Sequence, residues 1–368
     1  MSAVLSRLAG PIADPVVSDG SRPVIGYVGA DVPVELLTAA GAHPVRLTGA
    51  PGSPSTAGDR YLGTGLDPVA RSVLTRLLDG EYGHLDGLVV SRDCEASSRL
   101  FYAIRELKRI DPATPLPPVQ LVDVLHLPHR TTTRYVDAKF AELRATLETW
   151  AGRQITDDDL AEAIEAHNRL RGLLRRLGEL RRSSPALLTG TQALSVVAAT
   201  TRRPVREACA LVEELLADTS ALSGKDGLRV FLTGSGHDEP GVYSALEEAG
   251  LVIVGEDHDW GDRLFDRDVT APTMLALAER YQHNGPAAPR ASIRQRARYT
   301  AEAARACTAE ALVSYARVHD DAPPWDFPAQ RELCGLPSVL LERQPYGGLT
   351  EDALAAVAGL RRPVGVAR

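Results

Sequence analysis

The sequence predicts an α/β protein built from two doubly wound parallel-sheet lobes that face each other across a cleft, with a helical segment between them. Three observations predict it. Short β-branched runs alternate with helical patterns early in the chain, the middle third has no strand signal, and the alternation then returns with the same order of four strands. Strands alternating with helices at this interval argue for βαβ units and parallel sheets. The implied organisation is a lead-in at 1–21, an N-terminal lobe at 22–130, a helical segment at 131–224 and a C-terminal lobe at 225–368.

Residues 1–21 carry Gly, Pro, Ser and Asp without periodicity and read as a loose lead-in. Candidate strands follow at Val24–Val28, Pro44–Leu47, Gly87–Ser91 and Val119–Val122. Helical spacing of apolar residues marks Val34–Ala40, Asp67–Leu78 and Ala96–Ile110. Gly49–Gly65 is rich in Gly, Pro, Ser and Thr and reads as a loop. In the middle, Thr133–Trp150 and Thr156–Leu180 are helical, the second opening with Thr156 and Asp159 at capping-box spacing. Leu160, Ala163, Ile164, Leu170, Leu174 and Leu177 form its apolar stripe, and the arginine-rich run on its back reads as a solvated face. A helix at Pro204–Leu216 and a linker at Ser220–Gly227 complete this segment. The last third supplies strands at Arg229–Thr233, Leu251–Gly255, Leu312–Ala316 and Ser338–Glu342, and helices at Gly241–Ala249, Ala271–His283 and Ser292–Thr308.

Composition bounds the function. The 368 residues are 44% hydrophobic and 24% charged, which suits a globular protein with an ordinary core. A formal charge of −7 argues against a nucleic-acid surface. Only Lys108, Lys139 and Lys225 among the 41 basic residues are lysine, so arginine runs carry no phosphate-binding inference of their own. No stretch approaches the roughly 20 apolar residues of a membrane helix, and the N-terminus is a poor signal peptide. The four cysteines lie far apart with no CxxC, as expected of reduced thiols in a cytoplasmic protein. Cys209, Cys307 and Cys334 read as packing residues.

In open parallel sheets ligands bind beyond the carboxyl ends of the strands, so the loops after each strand hold the site candidates. After the first strand comes GYVGADVPVELLTAAGAHPVRL, with Gly29 ending the strand and Pro33 placed to start a helix. After the third comes DGLVVSRDCEASSRLFYAIREL, where Cys94 sits at a helix N-terminus whose potential favours a thiolate. The second lobe offers the Gly234-Ser235-Gly236 turn, able to present N–H groups to an anion, then Asp257, Asp259 and Arg263 in VIVGEDHDWGDRLF. After its third strand stand His319, Asp320 and Asp321.

The order Pro33-x-Glu35-Leu36, Ala40-Gly41-Ala42 and Pro44-Val45-Arg46-Leu47 resembles the opening motif of the 2-hydroxyacyl-CoA dehydratase and benzoyl-CoA reductase subunits. The Cys94-Glu95 pair, the Thr233-Gly234-Ser235 turn, Asp257 with Gly261-x-Arg263, and Asn168-x-x-Arg171 in the middle helix are similar to that family in the same order. The likeness runs from about Val24 to Glu342.

The resemblance implies a lyase-type subunit working on an acyl thioester, paired with a homologous subunit as a heterodimer or self-associating. It also implies a separate ATP-dependent iron–sulfur activator that delivers one electron. Gly29, Asp31, Gly234, Ser235, Asp257 and Arg263 become cleft residues, with no individual catalytic residue assigned. Family members hold a [4Fe–4S] cluster through three cysteines, and here those places read Gly29, Cys94 and His319. Imidazole can ligate iron, but glycine has no donor. Either Asp31, Asp257 or Asp259 fills the gap, or the cluster is absent. Two readings follow: a dehydratase-type or reductase-type subunit with a variant or missing cluster, and a non-catalytic, cluster-free partner that stabilises a catalytic homologue. A metal-free thiol nucleophile at Cys94 ranks last, with no general base nearer than His319.

Overall fold

Strands buried on both faces read as continuous apolar runs, and most of the eight strands among the residues described are of this kind, whereas Val119–Val122 and Ser338–Gln344 are partly exposed. The computed structural model describes residues 3–8, 20, 22–220, 222–286 and 290–360. The first sheet comprises β1 (Val24–Val28), β2 (His43–Arg46), β3 (Gly87–Ser91) and β4 (Val119–Val122) in the order β2-β1-β3-β4. The second comprises β5 (Leu228–Gly234), β6 (Leu251–Glu256), β7 (Ala311–Arg317) and β8 (Ser338–Gln344) in the order β6-β5-β7-β8. Every pairing within the sheets is parallel. The order reverses between β1 and β3 and again between β5 and β7, so each sheet has one topological switch point, where a crevice opens. The α/β class with two parallel-sheet lobes is thus observed, and each expected strand forms with ends shifted by at most a few residues.

The helical segment does more than separate the lobes. Helix Asp157–Arg182 starts with the expected capping box: Thr156 Oγ1 accepts from Asp159 N at 3.1 Å, and Asp159 Oδ2 accepts from Thr156 N at 2.8 Å. Leu160, Ala163 and Ile164 join the core of the first sheet. One to four turns later Leu170, Leu174 and Leu177 pack with helices Gly190–Thr200 and Val205–Ala217. Helix Met274–Gln282, which lies after β6 in sequence, also packs into the first lobe's core, with Tyr281 edge-on to Phe140 at 5.7 Å between centroids.

Several local expectations are corrected. The arginine-rich back of helix Asp157–Arg182 is not uniformly solvated: Arg171 and Arg181 are buried. Each meets a buried carboxylate, Arg171 with Glu35 and Arg181 with Glu256 at 2.5 Å, which makes burial of the cation tolerable. The lead-in is not loose throughout. Ala3–Leu8 is a helix whose Val4, Leu5 and Leu8 are buried, while 1–2, 9–19 and 21 lie outside the described residues. The 49–65 loop contains helix Thr56–Leu62, tied down by Gly58 N donating to Thr75 Oγ1 at 2.9 Å. Helices Gly190–Thr200, Ala322–Cys334 and Glu351–Leu360 also form without a periodicity signal. The first is apolar almost all round and the second carries prolines in its first turn and at Pro328, which obscure the pattern.

Two of the family-like motifs clasp each other here. Arg171 pairs with Glu35, Tyr281 Oη donates to Glu35 Oε2 at 2.8 Å, and Arg171 Nη1 donates to Asn168 Oδ1 at 2.8 Å. Burial alone would raise the Glu35 carboxyl, but the guanidiniums of Arg171 and Arg280, with His167 beside them, outweigh it and hold the group at about 2. The folded value is depressed below the ordinary 4.5, so the pair's stabilisation is present above that value and is lost as pH falls towards 2. A shift of this size corresponds to about 3 kcal/mol. Arg171→Met, which strands the carboxylate, is expected to cost about 3–5 kcal/mol in urea unfolding at pH 7. Glu35→Gln combined with Arg171→Met should recover part of that loss.

Candidate functional site

The carboxyl ends of both sheets open onto one cavity of about 820 Å³. All nine residues singled out from the sequence line it: Gly29, Asp31 and Cys94 from the first lobe, and Gly234, Ser235, Asp257, Asp259, Arg263 and His319 from the second. Their placement follows from topology. Gly29 and Cys94 flank the first switch point, and Gly234 and His319 flank the second.

Glycine ends the central strand of each lobe for a steric reason. Gly29 has φ +97° and Gly234 φ +110°, a region L side chains rarely adopt. A Cβ at Gly29 would lie 2.0 Å from Ser91 Oγ and 2.4 Å from Asp93 Oδ2; at Gly234 it would lie 2.1 Å from the Tyr315 carbonyl oxygen. The space beside Gly29 is held by Asp93, whose Oδ2 accepts from Ala30 N at 2.8 Å.

Cys94 is the N-cap of helix Glu95–Ile110, its Sγ accepting from Ser97 N at 3.4 Å. Cys94 is exposed at the cleft wall, with the Asp93 carboxylate and the surrounding protein beside its sulfur. Desolvation there, reinforced by the Asp93 carboxylate, pushes the thiol up to about 12. The thiolate expected from the helix N-terminus is therefore not favoured: desolvation and a neighbouring anion outweigh the backbone potential.

The carboxylates are engaged. Asp31 takes Arg290, which also meets His126 and the Arg92 carbonyl, and His126 Nε2 lies 3.1 Å from Asp31 Oδ2. Asp259 takes Arg46 from β2, whose guanidinium also donates to the Asp259 carbonyl at 2.8 Å and lies 3.8 Å over the Trp260 ring. Burial opposes the Asp259 charge, but Arg46 and Arg263 hold its carboxyl below the usual range. Asp257 Oδ2 accepts from Thr300 at 2.6 Å and Thr233 at 2.9 Å, and Gln330 Nε2 donates to both hydroxyls at 3.0 Å. Burial pushes the Asp257 carboxyl up to about 6. Ser235 donates to Asp320 Oδ2 at 2.6 Å and accepts from Arg317 N at 3.0 Å. His319, at φ +69°, is exposed at the rim. Among the described residues, no three His, Cys, Asp or Glu side chains converge as a metal-binding group.

Sequence reasoning missed the arginines that bind these carboxylates and bridge the lobes. Arg317 reaches Asp67 Oδ2 at 2.8 Å, and Arg46 crosses to Asp259. Arg46 lay in plain view within Pro-Val-Arg-Leu, whereas Arg290 sits in a loop with no motif to mark it.

Fold and site together define a class: a two-lobed, doubly wound α/β protein with a polar cleft at facing switch points. The chain belongs to the 2-hydroxyglutaryl-CoA dehydratase D-component family, whose model it matches over residues 30–343. It is 25% identical over 347 residues to an (R)-phenyllactyl-CoA dehydratase beta subunit of Clostridium sporogenes, covering 91% of this chain and 90% of that one. It is 25% identical to the beta subunit of (R)-2-hydroxyglutaryl-CoA dehydratase of Acidaminococcus fermentans, over 67% of this chain and 65% of that one. Identity is 27% with a benzoyl-CoA reductase subunit of Thauera aromatica, over 66% and 62% respectively. These relatives are subunits of dehydratase and reductase enzymes.

Two outcomes test this geometry. Gly29→Ala should lose at least about 2 kcal/mol in urea unfolding, because the residue needs a positive φ and its Cβ has no room. Asp93→Gly in the same chain should restore part of it. For Asp257 the folded value is raised, so its contribution is present below the ordinary 3.8 and is lost as pH rises through about 6. Thermal melts should therefore show Asp257→Asn gaining more over wild type at pH 7.5 than at pH 4.5.

Proposed function

We propose that this chain is a subunit of a 2-hydroxyacyl-CoA dehydratase-like complex acting on acyl thioesters, and that it holds no iron–sulfur cluster of its own. Its role is to line a ligand cleft and to stabilise a homologous subunit that carries the cluster. An ATP-dependent activator, where one serves the complex, then acts through that homologue. The dehydratase and reductase subunits among its relatives support the first part. For the second, the observation that carries the reading is the Asp93 carboxylate beside Gly29. The family's first ligand place has no donor, and the volume a thiolate would occupy there is filled by Ser91 and Asp93.

The rest of the donor set supports the same reading. Family members hold the cluster through three thiolates, and of the three places only Cys94 supplies one here. The residues that could complete a ligand set are already in use: Asp31 by Arg290, Asp259 by Arg46, and Asp257 by two threonines. The residues present do not fit a cubane cluster, so no electron-transfer step is derived for this chain. Its polar cleft contacts instead tie strand ends together across or within the lobes, as a rigid pocket wall requires. Among the described residues no helix is long and apolar enough to cross a membrane. The cytoplasm is the compartment proposed for it, in keeping with its free thiols.

The test is iron and acid-labile sulfide content with a visible spectrum, on protein purified without oxygen and after attempted reconstitution. The expected protein is colourless, with neither iron nor sulfide in stoichiometric amount. A brown protein with about four irons per chain would overturn the cluster-free reading. Co-expression with a homologue carrying all three cysteines is expected to give a heterodimer on size exclusion.

A further inference from the structure

Six arginines line the cleft among the described residues, and five of them already hold a carboxylate. Arg46 grips Asp259 and Arg290 grips Asp31. Arg296 reaches Asp326 at 2.5 and 2.6 Å, Arg317 reaches Asp67 at 2.8 Å, and the exposed Arg99 reaches Glu95 at 2.6 Å. Arg263 differs. Among the described residues its one hydrogen bond runs from Nη1 to the main-chain carbonyl of Asp257 at 3.4 Å, near the limit of such a contact. Its Nε is buried without a partner, and the residue is only 8% exposed. The stem runs alongside Gly285, a left-handed glycine at φ +57°.

A guanidinium carries five donors in a planar fork, and stripping it of water without a counter-ion is costly. The Asp257 and Asp259 carboxylates offset part of that cost through their field, but neither bonds the guanidinium. Asp257 turns its Oδ2 to Thr233 and Thr300, and Asp259 turns to Arg46. The donors of Arg263 therefore stand ready on the cavity wall for an anion the protein does not itself supply. The surroundings decide which kind. The lining holds ten carboxylates against six guanidiniums, a net acidic field that repels multiply charged ions. A single carboxylate suits the fork, since it can accept two parallel N–H···O bonds while adding one charge.

We propose that Arg263 anchors a carboxylate-binding subsite in the cleft, taking a ligand that carries one free carboxylate group. The subsite deepens the reading of this cleft as a ligand wall and rests on it only to that extent. Finding iron would sink the cluster-free assignment and leave the anion measurement untouched, so the two failures are distinguishable.

The experiment is calorimetric titration of the full chain with sodium butyrate and, separately, inorganic phosphate at constant ionic strength. Wild type is expected to bind butyrate with a Kd in the millimolar range and more tightly than phosphate. Arg263→Met should weaken butyrate binding about tenfold or more, while Arg99→Gln leaves it unchanged. Arg263→Met removes a buried cation that makes no direct ion pair but also its field on Asp257 and Asp259, so its Tm is expected to stay close to that of wild type. Arg263→Lys keeps the charge but loses the fork, and should bind about threefold weaker or worse; it decides the matter should Arg263→Met fail to fold. The proposal is overturned by wild type that binds no butyrate up to about 50 mM, or by tighter binding of phosphate. Unchanged affinity in Arg263→Met or Arg263→Lys, or an equal loss in Arg99→Gln, overturns it as well.

Discussion

One helix, Asp157–Arg182, holds both lobes by burying a guanidinium against each. Arg171 takes Glu35, in the helix that follows β1, and Arg181 takes Glu256 at the end of β6. Ten residues of helix separate the two arginines by about 15 Å, a rigid spacing. Neither pair can open without leaving a charge in the protein interior, so the distance between the two sheets is set by this rod. Arg181 also bonds Asp262 at 2.7 Å, which fixes the short 3-10 turn Asp262–Leu264 that carries Arg263. The position of a cleft arginine thus depends on a contact made at the far end of the central helix.

The same logic of matched charges governs the cleft itself. Carboxylates stand at the strand ends, where they would be costly if left bare, and arginines from the opposite lobe or from distant loops neutralise them. Arg46 and Arg317 cross between lobes, each serving a carboxylate that its own sheet does not contain. These bridges consume the acidic side chains that a metal would otherwise recruit. This wiring leaves Arg263 as the cleft guanidinium with no direct carboxylate bond among the described residues.

Much of the fold was legible because it rests on local rules. Alternating β-branched runs and helical stripes marked all eight strands, and Thr156 with Asp159 marked a helix start that the structure reproduces. The site was legible to the extent that strand ends in open sheets converge: Gly29, Cys94, Gly234, Asp257 and His319 all reach one cavity because topology brings them there. What failed to show was whatever depends on partners distant in sequence. Arg171 and Arg181 read as solvent-facing because arginine usually is, and it takes Glu35, Glu256 and Asp262, all distant in sequence, to explain their burial. Arg290 carries no local sign of its role, since its partners are Asp31 and His126.

By itself, then, the sequence determined the class of fold, the two-lobed order of strands and the loops where a ligand would bind, because these follow from periodicity and the handedness of βαβ units. It also determined that Gly29 lacks a donor. Tertiary structure alone decided that Ser91 and Asp93 lie in the space beside Gly29, that Asp93 stands next to Cys94 and pushes its thiol up, and that five of the six cleft arginines among the described residues already hold a carboxylate. The physical reason is the same in each case. Charge state and steric room are properties of an enclosed volume, and that volume exists only once both sheets are held face to face.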